Sequence, residues 1–75
     1  MEKIMSMIKA EVRFRVTTKV GGRSVSTETI IMQVDLRTYR ASQNNHDRKE
    51  LSGWAKQFFP SALEVEVQMM KQLYQ

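Results

Sequence analysis

Ile8-Lys9-Ala10-Glu11-Val12-Arg13-Phe14-Arg15-Val16 alternates without a break. Ile8, Ala10, Val12, Phe14 and Val16 fall on one face of an extended chain, and Lys9, Glu11, Arg13 and Arg15 on the other. Period two rich in β-branched residues predicts a strand with one buried face. Gly21-Gly22 interrupts the pattern, and Ser24 to Leu36 is again rich in strand formers. Residues 8–19 and 24–36 are therefore expected to form a β-hairpin. The apolar alternation of the second strand is Ile30, Met32, Val34 and Leu36. A two-residue loop at Gly21-Gly22 would set Phe14 opposite Thr29 and turn that apolar set to the wrong face. A three-residue loop, Gly21-Gly22-Arg23, pairs Phe14 with Ile30, Val12 with Met32, Ala10 with Val34 and Ile8 with Leu36. A one-residue slip reverses every side chain, so the three-residue loop is expected, or a bulge restoring the same parity.

Beyond Leu36 the run Arg37-Thr38-Tyr39-Arg40-Ala41-Ser42-Gln43-Asn44-Asn45 is polar and reads as a loop, with Asn45 or Asp47 capping a helix. Leu51, Trp54, Ala55, Phe58 and Phe59 then form one helical stripe, and Pro60 stops it, which predicts an amphipathic helix over 47–59. In the last segment Ser61-Ala62-Leu63-Glu64 matches a helix capping box, whereas Leu63 to Met69 alternates strictly. A lone hairpin needs a third strand or a helix for stability, and the alternation favours a strand over 62–70. A right-handed crossover lays that strand beside the first. The expected fold is a small single-domain α+β chain over 1–75, with residues 1–6 a frayed lead. Its order is β-β-α-β: a three-stranded antiparallel sheet, order 2-1-3, with one amphipathic helix packed on one face. The expected core is Val12, Phe14, Ile30, Met32, Val34, Leu51, Trp54, Phe58, Val65 and Val67.

Composition narrows the function. Seventy-five residues with 41% hydrophobic and 27% charged side chains suit one small globular domain. With no cysteine, disulfide frameworks, thiol chemistry and cysteine-based zinc sites are excluded. One histidine and scattered acids supply no metal-ligand cluster. His46, in Asn44-Asn45-His46-Asp47, is the only imidazole, and its sequence neighbours do not make a triad. Gly21-Gly22 belongs to a hairpin, not a phosphate-cradling loop. No enzyme and no cofactor are expected. The first residues lack the apolar run of a signal peptide, and no segment is long and apolar enough to span a bilayer, so a cytoplasmic location without membrane contact is expected.

Twelve Lys and Arg against eight Asp and Glu give a net charge of +4. Arg13, Arg15, Lys19 and Arg23 would form a basic arm about 20 Å long on the outward face of the hairpin, a shape that can track phosphates. Glu64 and Glu66, on a strand beside the first, would face those arginines, and Lys9 would face Asp35, leaving Lys19 and Arg23 unpaired. No aromatic residues are interleaved with the arm as stacking platforms. Val25 and Ile31 point to the solvent side, Met70, Leu73 and Tyr74 form an apolar tail, and the second strand is an edge with few charges. Together these predict a non-enzymatic binding module acting by protein–protein contact or self-association through the open sheet face or edge, with Val25, Ile31 and Met70 as contacts. The alternative is a nucleic-acid-binding module using the basic hairpin arm.

Overall fold

The structure is a computed structural model, described for residues 6–19 and 23–74. Strands β1 (Met7–Lys19) and β2 (Arg23–Asp35) are followed by three short helices, α1 (Leu36–Ser42), α2 (Asn45–Lys49) and α3 (Ser52–Lys56), and then by β3 (Glu64–Gln72). The sheet order is β2-β1-β3 with both pairings antiparallel, as expected, and the helices pack on one face. β1 is central, and its alternation decides what is buried: Ala10, Val12, Phe14 and Val16 are inward and covered. Val34, Val65, Val67, Met70, Ala55 and Ala62 complete the core.

Phe14 sits at its centre. The ring has Phe59 edge-on at 5.2 Å, Phe58 at 5.9 Å and Trp54 at 6.1 Å, and Trp54 packs edge-on against Phe58 at 5.1 Å. Such aromatic pairs add about 0.5–1.5 kcal/mol each beyond the area they bury. Phe14 is fully enclosed, but the rings above it are not: Trp54 is half-buried and Phe58 remains 38% exposed. Ile30, Met32 and Leu51 are likewise only partly covered, so the fully buried core is narrower than expected on both its β2 side and its helical side.

The hairpin register has the expected parity but is displaced by two residues. Phe14 lies opposite Glu28, Val12 opposite Ile30, Ala10 opposite Met32 and Ile8 opposite Val34. Lys19 pairs with Arg23, so the intervening segment has three residues, Val20-Gly21-Gly22, one position earlier than expected; its conformation lies outside the described residues. Burial of one face fixes only whether a register is odd or even, which is why the parity was legible and the displacement was not. One consequence is that Lys9 faces Gln33, and Asp35 faces Met7.

Asp35 has another task. Its Oδ1 accepts a hydrogen bond from the Thr38 backbone N–H at 2.6 Å and caps α1, which turns the expected loop of residues 37–45 into a helix. Asn44, rather than Asn45 or Asp47, caps α2, accepting from the backbone N–H groups of His46 and Asp47. The single helix expected over 47–59 is divided at Glu50 and Leu51, whose N–H groups bond back three residues, to Asp47 and Arg48, instead of four. Ala55 N–H then returns to Leu51 at the four-residue spacing, so the apolar stripe keeps its direction through the tightened turn.

β3 carries a bulge. Arg13 lies opposite Met69 and Phe14 opposite Val67, which leaves Gln68 as an extra residue. Strict alternation from Val65 and Val67 would turn Met69 inward and Met70 outward. The extra residue reverses this, and Met70 lies opposite Val12 on the core side.

Phe14→Ala should cost about 3–5 kcal/mol and leave so small a domain largely unfolded by circular dichroism. Trp54→Ala, at a half-buried site, should cost about 2 kcal/mol, less than a fully buried ring; equal losses would contradict the central place of Phe14. The Thr38 backbone and side-chain hydrogen bonds hold the Asp35 carboxyl below its ordinary value, with Arg37 assisting and desolvation opposing. A lowered folded-state pKa contributes stability above the ordinary carboxylate range, lost as pH falls through the folded value. The stability gap between the parent and Asp35→Ala should thus narrow from neutral pH to about pH 3. A gap of constant size in denaturant titrations would contradict this role for Asp35.

Candidate functional site

The helices leave the opposite sheet face open. Across it run rows set by the two registers: Glu11 between Ile31 and Lys71, Arg13 between Thr29 and Met69, Arg15 between Thr27 and Glu66, Thr17 between Val25 and Glu64. Period two in β1 therefore puts Lys9, Glu11, Arg13 and Arg15 on the uncovered side. Arg15 Nη1 lies 3.6 Å from Glu66 Oε1, with both side chains about half exposed. This is a surface pair of modest worth, yet it engages one of the two arginines in the middle of the expected arm. Arg13 has Thr29 and Met69 as cross-strand neighbours. Lys19 and Arg23 are paired at the hairpin end, but their side chains lie outside the described residues.

Of the three candidate apolar contacts, Val25 is 49% and Ile31 58% exposed on the open face. Met70 is not available: the bulge turns it inward and leaves it 4% exposed, packed in the core. Tyr74 is exposed and Leu73 half-buried, with the Leu73 N–H bonded to the Lys9 carbonyl at 2.9 Å. Tyr39 packs partly against the core.

β2 presents the longer free edge. Its thirteen residues pair with β1 throughout, and among the described residues no strand lies on its other side. Every residue from Ser24 to Thr29 is exposed, on both faces of the sheet, because the helical layer stops over Phe14 and does not reach this half of β2. Glu28 is the one charged residue between Ser24 and Val34, and it accepts from Ser26 Oγ at 3.3 Å.

His46 is exposed at the start of α2, with Nδ1 3.5 Å from Asp47 Oδ1. Among the described residues, no three His, Asp or Glu side chains come together in a form that could hold a metal ion. No helix among them is long and apolar enough to cross a membrane. Arg48, Lys49 and Lys56, the basic side chains of α2 and α3, lie off the stripe of Leu51, Trp54, Ala55, Phe58 and Phe59, and nothing in their spacing points to the surface they join. The fold brings them alongside β3, a juxtaposition that depends on the third strand's position. In comparisons with family models, curated proteins and solved structures, the chain has no significant match.

Met70→Lys should prevent folding, because it buries a charge without a partner, whereas Ile31→Lys should leave the stability of the dilute, monomeric chain unchanged within about 0.5 kcal/mol. A folded Met70→Lys protein with the parent melting temperature would contradict the bulge.

Proposed function

We propose that this chain is a small non-enzymatic binding module whose open sheet acts by protein–protein contact, and specifically by self-association through β2. The carrying observation is the edge itself: thirteen residues in regular register with β1, exposed over Ser24–Thr29, with a single charge between Ser24 and Val34. An unpaired edge offers a row of backbone donors and acceptors to another strand. Edges are commonly guarded by lysines, proline or a bulge. From Ser24 to Val34 there is no lysine or proline, and the pairing with β1 runs without a register shift.

A second copy fits this edge. Thr29 is the midpoint of β2, so antiparallel pairing of two β2 strands about Thr29 engages their full length. That register sets Ile31 opposite Thr27 and Val25 opposite Gln33, and keeps the open faces of the two sheets on one side. It also holds the two Glu28 carboxylates apart, whereas pairing about Glu28 would oppose like charges. The product is a continuous six-stranded sheet in which the exposed Val25 and Ile31 gain cross-strand neighbours. Closed two-fold pairing of this kind uses up the edge and does not propagate. A cytoplasmic setting belongs to the same proposal and draws support from the cysteine-free composition.

Nucleic-acid binding by the hairpin arm is the weaker reading. Glu66 engages Arg15, and Glu64 and Glu11 share the same face, so a phosphate backbone laid there would meet acids as well as bases.

Sedimentation equilibrium should show the mass rising from monomer toward dimer between low and high micromolar concentration. Thr29→Lys sets two lysines against each other on the two-fold axis and should weaken the dimer at least about tenfold while leaving the monomer folded. A monomer at every concentration would overturn the proposal, as would a dimer indifferent to Thr29→Lys.

A further inference from the structure

The sheet has a second free edge of a different kind. Among the described residues β3 has β1 as its one strand neighbour, and α3 packs over it. Between that edge and the helices runs a groove, lined on the strand side by residues 63–68 and on the helical side by Arg48, Lys49, Ser52, Gly53 and Lys56. Two features bound it. At one end the bulge at Gln68 interrupts the regular strand, and beyond it Gln43 Nε2 reaches across to the Met70 carbonyl at 3.0 Å. On the helical side Gly53 adds no side chain, and a Cβ placed there would meet nothing within 4 Å. An edge strand beside a helical wall is the geometry in which an extended peptide adds as a further strand, its backbone pairing with the edge and alternate side chains facing the wall.

The charges say which peptide. Arg48 is held in place, donating from Nη1 to the Ser42 carbonyl at 3.0 Å and from Nη2 to Asn45 Oδ1. Lys49 and Lys56 are exposed on the same wall. The strand's own acids, Glu64 and Glu66, alternate with the buried Val65 and Val67 and so belong to the opposite sheet face, where Glu66 pairs with Arg15. We infer that the groove between β3 and α2–α3 binds an extended acidic peptide strand, with Asp or Glu at every second position toward Arg48, Lys49 and Lys56. The intervening positions, on the side of Glu64 and Glu66, take neutral or basic residues. A nucleic-acid strand is the poorer occupant: it cannot pair with a β-edge, and it would carry phosphate past Glu64 and Glu66 as well as past the lysines. This surface is separate from β2, so it stands or falls independently of self-association.

The test uses the full chain carrying Thr29→Lys, so that dimerisation through β2 does not intervene. Its probe is a fluorescent eight-residue peptide of alternating Glu and Thr, read by anisotropy. Binding is expected with a Kd of roughly 10–100 µM. It should weaken at least about tenfold for the Lys-Thr counterpart, for the fully N-methylated Glu-Thr peptide, and for the doubly substituted Lys49→Glu, Lys56→Glu protein. Amide shifts on titration should fall on residues 63–68. Absence of binding would overturn the inference, as would binding indifferent to N-methylation, shifts confined to β2, or tighter binding of oligothymidine than of the Glu-Thr peptide.

Discussion

The contact of Phe14 with Phe59, Phe58 and Trp54 joins the two layers of this protein, and most of its other features follow from where that contact lies. A 75-residue chain has material for one core, and here the aromatic side chains of the helical segment converge on a single inward ring of the central strand. Centring the helices over β1 and β3 leaves too little chain to cover β2. The far half of β2 is consequently exposed on both faces, and Glu28 can occupy an inward position opposite Phe14 without being buried. One economical core therefore yields a protein with a bare sheet face and two free edges.

The two edges differ because their surroundings differ. β2 is long, regular and uncharged over most of its length, features that suit pairing with an identical strand. β3 is short and bulged, and it lies beneath a wall that carries Arg48, Lys49 and Lys56. Its selectivity is electrostatic as well as backbone-driven. On the open face, by contrast, Arg15 with Glu66 and the juxtaposition of Glu11 with Lys71 leave an interspersed charge pattern of the kind expected on an ordinary soluble surface.

Much of this was legible from Ile8 to Val16 alone. Strict alternation identified β1, its inward face and the parity of the hairpin, because those depend only on which side of a strand meets the core. The absolute register depends on which three residues lie between the strands, and Gly21-Gly22 did not distinguish Val20-Gly21-Gly22 from Gly21-Gly22-Arg23. The same limit governs the third strand. Val65 and Val67 announced it, but the extra residue at Gln68 reverses the alternation and moves Met70 from expected surface contact to core. The α1 helix was masked by its polarity. Its signal was the Asp35 cap, a contact invisible while Asp35 was assigned as a cross-strand partner of Lys9.

Amide hydrogen exchange of β2, followed over a dilution series, probes the exposed edge most directly. In dilute solution the outward-facing amides of Ser24–Thr29 should exchange at nearly unprotected rates while those of β1, which is paired on both sides, exchange only on global unfolding. At high protein concentration the same β2 amides should slow by at least about tenfold, as two strands pair. Rates in β2 that are slow when dilute, or that do not change with concentration, would contradict the account of an uncovered edge that pairs with its own copy.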